Sequence, residues 1–106
     1  MELTELLLNK KVNGIYHDYV NRSLHIYLDD KIHIIFYNCA IIFDLGIIGH
    51  FITYVSCTGT LGMALELKRI KENPDDYSCI LLSRDIKDIT NKNEILISYK
   101  EFKIEA

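Results

Sequence analysis

Four histidines, three cysteines and a handful of aspartates are the residues of this chain with chemistry to offer. His25 and His33 fall on one face of adjacent predicted strands, and His17 could join them from a neighbouring strand. Three imidazoles so placed could hold zinc with an open coordination position. No carboxylate or cysteine stands at a recurring ligand spacing, however, and a strand histidine is ordinarily a surface or rim residue. The sequence therefore assigns no metal and no cofactor. Cys57, just before Thr58-Gly59-Thr60, could be a thiolate at a helix N-terminus with His50 or His33 as its base. The plainer reading is a small apolar residue closing a strand, and it is the one adopted. Asp18 and Asp44 stand apart in the sequence, while Asp29-Asp30 and Asp75-Asp76 fall at turns, where Asp is favoured for its local hydrogen bonds. Gly46-x-x-Gly49 and Gly59-x-x-Gly62 lack the Lys-Ser/Thr ending of a phosphate loop. No catalytic residue is assigned.

These side chains need elements to position them. Leu3, Leu6 and Leu7 at helical spacing predict a short N-terminal helix ending by Asn9. Strands are predicted over residues 12–19 and 23–29, with Asn21 and Arg22 in the turn between them. Leu24, Ile26 and Leu28 alternate with His25 and Tyr27, and Ile32, Ile34 and Phe36 with His33, Ile35 and Tyr37. A three-residue loop at Asp29, Asp30 and Lys31 pairs Leu28 with Ile32, Ile26 with Ile34, Leu24 with Phe36, Tyr27 with His33 and His25 with Ile35. Every pair keeps its face, which a one-residue slip would destroy.

Asn38 and Cys39 interrupt the alternation and mark a bulge or bend. Strands follow over 40–43 and 50–57, separated by a turn at Gly46 and Gly49. Residues 61–72 alternate like a strand but are rich in helix formers and stop before Asn73-Pro74. They are read as a helix, with Thr60 as its cap. Two strands over 77–83 and 94–105 close the pattern, with a polar loop over 84–93 between them.

The composition agrees with a β-rich fold: seventeen Ile and seven Tyr against three Ala and no Trp in 106 residues. The expected architecture is one α+β, β-rich domain over 1–106, a single curved antiparallel meander of about five to seven strands against one principal helix. With 49% apolar and 25% charged residues the chain can bury a core without disulfides, and disorder of the whole is excluded. A net charge of −3 offers no basic patch for nucleic acid. The odd number of widely spaced cysteines and the acidic N-terminus read as a cytoplasmic protein with reduced thiols and no leader. The greasiest run, residues 40–48, is too short to span a bilayer.

One face of the predicted hairpin is harder to explain. His25, Tyr27, His33, Ile35 and Tyr37 lie opposite an already apolar Leu/Ile/Phe face, where a wet sheet would carry Lys, Glu and Thr. Either another layer of the fold covers this face or it meets a partner, a role for which Tyr is well suited.

Ile15-Tyr16-His17-Asp18-Tyr19, Ser23-Leu24-His25-Ile26-Tyr27-Leu28 and Ile34-Ile35-Phe36-Tyr37-Asn38-Cys39, followed by Phe43-Asp44-Leu45-Gly46-Ile47-Ile48-Gly49 and the closing run from Leu96 to Ile104, form a layout. It resembles that of small bacterial immunity proteins of polymorphic toxin and contact-dependent growth-inhibition systems. The resemblance implies a non-enzymatic cytoplasmic protein that neutralises a cognate toxin domain by binding it. Tyr27, Tyr37, His25 and His33 are the expected anchors, with Asp29, Asp30, Asp75 and Asp76 meeting basic toxin residues. The alternatives are a small enzyme using Cys57 with a histidine or a histidine metal site, and a homo-oligomer whose second sheet face pairs with itself.

Overall fold

Eight strands, one principal helix and two short helical turns build two antiparallel sheets in a computed structural model that describes residues 3–29, 31–57, 61–84 and 93–105. In chain order these are α1 (Leu3–Leu7), β1 (Val12–Asp18), β2 (Ser23–Leu28), β3 (His33–Tyr37), β4 (Ile41–Asp44), β5 (Tyr54–Ser56), α2 (Leu61–Arg69), a 3-10 turn (Pro74–Asp76), β6 (Ser78–Ser83), β7 (Glu94–Tyr99) and β8 (Glu101–Glu105). The first sheet runs β1-β2-β3-β8 and the second β4-β7-β6-β5. No described helix is long and apolar enough to cross a membrane.

The β2–β3 hairpin has the register its alternation dictates: Leu24 opposite Phe36, His25 opposite Ile35, Ile26 opposite Ile34 and Tyr27 opposite His33. Leu28 N–H donates to Ile32 O at 2.8 Å, closing the loop. Lys31 takes a φ of 60° there, and Asp30 lies outside the described residues. The turn at Asn21 and Arg22 forms as expected, with Arg22 at φ 53° and Asn21 Nδ2 donating to Asp18 Oδ2 at 2.7 Å.

Two sheets replace the single meander, and the reason lies at Asn38 and Lys100. Tyr37 pairs with Glu101 in the first sheet and Ile41 with Ser98 in the second. Between these pairs, Asn38, Cys39 and Ala40 on one strand oppose only Tyr99 and Lys100 on the other. Such an unequal count bends a ladder sharply. Asn38 absorbs the bend at φ 53°, a left-handed conformation that Asn tolerates better than most residues. The ladder is kept alive across the corner by Lys100 N–H to Tyr37 O at 3.1 Å and Ala40 N–H to Ser98 O at 3.0 Å. The strand expected over 94–105 is therefore two strands in two sheets.

The strand expected over 50–57 is shorter for a related reason. Its first residues lie along the edge of β1, with Phe51 bridging Lys11, and only Tyr54–Ser56 joins β6. Gly46 and Gly49 make the preceding turn at φ 85° and 87°, conformations that cost a residue with a Cβ.

The main core lies between the sheets: Leu24, Ile26, Ile34 and Phe36 meet Ile80, Leu82, Ile95 and Ile97, with Ile47 and Ile52 sealing the loop side. A second cluster joins Met63 and Leu67 of α2 to Ile41 and Cys79 of the second sheet. The helix thus lies over the second sheet. The capping residue expected at Thr60 and the loop residues 85–92 lie outside the described residues.

Candidate functional site

The outer face of the first sheet collects the aromatic and ionisable side chains that the alternation of β2 and β3 had singled out. His25 and Tyr27 of β2 and His33, Ile35 and Tyr37 of β3 all point away from the inter-sheet core, as their register requires. No described helix packs on this face, because α2 buries its apolar side against the second sheet. Tyr27 keeps 39% of its surface exposed and Tyr16 56%.

The rings form a connected array. Tyr27 and His33 stack with centroids 4.3 Å apart and planes 14° from parallel, and His25 lies 5.0 Å from His33. Tyr16 of β1 closes the row at 5.5 Å from His25. His25 Nδ1 and His33 Nε2 are 2.8 Å apart, so one proton sits between them. Glu105 Oε2 of β8 lies 3.5 Å from His33 Nδ1. A carboxylate there favours a proton on His33 Nδ1, leaving Nε2 as the acceptor for the Nδ1–H of His25. Lys103, next along the same face of β8, pairs with Glu105 at 3.2 Å. The result is a fixed polar chain, carboxylate to imidazole to imidazole, inlaid in an aromatic surface.

Some expected residues are elsewhere. His17 does not join His25 and His33: it pairs with Leu24, not His25, because Tyr16 holds the position opposite His25. The irregularity between Val12 and Gly14 makes the face of β1 hard to anticipate. His17 stacks on Tyr19 at 3.9 Å and, with Asp44, lines a separate cleft of about 510 Å³ between β1 and β4. Asp29 stands at the hairpin end, where its Oδ1 accepts the Lys11 N–H at 3.2 Å. Asp75 and Asp76 occupy the 3-10 turn beside α2.

Sequence reasoning missed Tyr16, Glu101, Lys103 and Glu105. The β8 residues reach the site because β8 pairs with β3, a long-range contact with no local signature.

The nucleophile hypothesis finds no base. Cys57 is exposed, and its sulfur lies 3.8 Å from Thr4 Oγ1. His50 Nδ1 instead faces Arg84 Nη1 at 3.4 Å, and His33 is engaged with His25 and Glu105. Among the described residues no three of His, Cys, Asp and Glu gather as a ligand set. What this face presents is flat aromatic area, a ring pair sharing a proton, and a carboxylate border.

Comparison of the chain with protein-family models, with curated proteins and with solved structures returned no match.

Proposed function

We propose that this chain is a non-enzymatic binding protein that docks a protein partner on the outer face of β1-β2-β3-β8, and that the partner is a bacterial toxin domain which it neutralises. The observation that carries the binding reading is the His/Tyr face on which no described helix packs, with Tyr16 and Tyr27 exposed around a buried Ile35. Tyr16, Tyr27 and Tyr37 supply contact area and hydrogen bonds at low entropic cost. Glu101 and Glu105 stand beside them to meet basic groups, in a chain of net charge −3. The border carboxylates on this face are those of β8, with Asp29 at the hairpin end. Toxin neutralisation rests on the resemblance of the strand layout to immunity proteins and fits an acidic, aromatic surface made to cover a basic one.

The test is co-expression with the product of the neighbouring reading frame, followed by co-purification and a growth assay. A complex that rescues poisoned cells supports the proposal, and a harmless neighbour that forms no complex overturns the toxin reading. Given a complex, Tyr27→Ala with Tyr37→Ala should weaken it at least tenfold, the scale of interfacial aromatic anchors, with an unchanged circular dichroism spectrum. Unchanged affinity would move the docking surface elsewhere. A mass that rises with concentration in the absence of any partner, and falls back with the same substitutions, would make a second copy of the chain the occupant.

A further inference from the structure

On the far side of the molecule a cleft of about 390 Å³ opens between α2, the 3-10 turn and β6, and three of its eight lining residues carry sulfur. Cys57, Met63 and Cys79 line it together with Leu67, Pro74 and Tyr77. Three elements bring these residues to one cleft. Ser56 is opposite Leu81 in the β5–β6 pair, so Cys57 leaves β5 alongside the stretch of β6 that holds Cys79. Met63 is on the face of α2 that packs onto Cys79. The third cysteine is elsewhere: Cys39 is buried in the main core and donates its thiol proton to Phe36 O at 3.4 Å.

We propose that this cleft binds one soft monovalent cation, Cu(I) by preference, through the sulfurs of Cys57, Met63 and Cys79. Two thiolates and a thioether suit Cu(I), which is satisfied by two or three sulfur donors. Zinc asks for four ligands and makes little use of a thioether, and hard cations want oxygen. Among the described residues no carboxylate or imidazole lines the cleft. A set of two cysteines and a methionine has no ligand spacing in the sequence and contains only two residues of the usual metal-binding types. Neither a motif nor a count of His, Cys, Asp and Glu would find it. Binding is a proton exchange without redox change: two thiols lose their protons as two sulfur–copper bonds form. Because the thiols must lose their protons to bind, affinity should rise with pH. The site is independent of the partner face.

The experiment is an anaerobic titration of fully reduced protein with Cu(I) against the chromogenic chelator bathocuproine disulfonate. One equivalent of copper withdrawn from the chelator is expected, with a matching rise in Tm. Cys57→Ser, at an exposed position that leaves the fold intact, should weaken binding about a hundredfold, and Met63→Leu about tenfold. Cys79→Ser should behave like Cys57→Ser, and Cys39→Ser should change nothing. No withdrawal by the parent protein, retention of full affinity in Cys57→Ser or Met63→Leu, loss through Cys39→Ser alone, or equally tight binding of Zn(II) would each overturn the three-sulfur site.

Discussion

The thiols of Cys39, Cys57 and Cys79 have one element in common and three different surroundings. Cys57 is exposed, whereas Cys39 and Cys79 are buried, and burial pushes Cys39 up to about 11. The native protein should therefore show one thiol that reacts promptly with Ellman's reagent, two that react only on unfolding, and none that reacts promptly in Cys57→Ser. Two or three prompt thiols in the native state would contradict the packing of the β3–β4 corner and of β6. Ser98 makes a second residue-scale prediction. Its hydroxyl is fully buried between Ile41 and Cys79 and has no hydrogen-bond partner among the described residues. Replacing an unsatisfied hydroxyl removes a desolvation penalty, so Ser98→Ala should raise stability by about 1 kcal/mol in urea unfolding. A loss of that size would mean that the hydroxyl is satisfied in solution. At this scale the hairpin residues of the site were legible, because alternation fixes which side chains share a face. Tyr16 was not, since one irregularity near Gly14 decides whether residue 16 or residue 17 faces outward.

Elements explain what single residues cannot. Leu61, Met63, Leu65 and Leu67 alternate in the sequence as in a strand, yet α2 buries only Met63 and Leu67 and leaves Leu61 and Leu65 exposed at 77% and 57%. The buried pair is spaced i, i+4, the period of a helix, and tertiary packing resolves an ambiguity that local pattern leaves open. Leu67→Ala should cost about 2–4 kcal/mol and Leu65→Ala well under 1 kcal/mol, read as shifts of the urea midpoint. Equal costs would mean that the helix turns a different face to the sheet. The corner at Asn38 is also an element property. With φ at 53°, Asn38→Gly should be close to neutral and Asn38→Val should cost about 1–2 kcal/mol, the penalty of a β-branched residue in left-handed backbone. The bend itself was readable, because Asn38-Cys39 breaks a strict alternation. The matching break at Lys100 was not, since it interrupts a run that reads as one strand.

The molecule as a whole buries acids in their neutral forms. Cys39, Cys79 and Tyr99 all have raised pKa values, with burial the largest cause in each. The unfolded chain gives up these protons at lower pH than the folded one, so rising pH favours unfolding. Stability should hold below the ordinary thiol range and fall as pH climbs toward about 11, by roughly 1–3 kcal/mol for Cys39. Cys39→Ser should flatten part of that decline in thermal melts, and a decline unaltered by it would place the titrating group elsewhere. The same view shows why two sheets were read as one. β3 into β4 and β7 into β8 pass from sheet to sheet without leaving their ladder, so locally each behaves as a single strand.

That pair of bent strands also governs how the chain reaches its native state. β1, β2 and β3 can zip by short loops, but the free side of β3 is filled only by β8, and Tyr37 must wait for Glu101. Closing so long a loop is slow by comparison with hairpin formation. During synthesis the row of unpaired groups along Ile34, Ile35 and Phe36 therefore leaves the ribosome long before its cover. Any strand that arrives first, from a second nascent copy or from a chaperone's client groove, finds an apolar edge ready to pair.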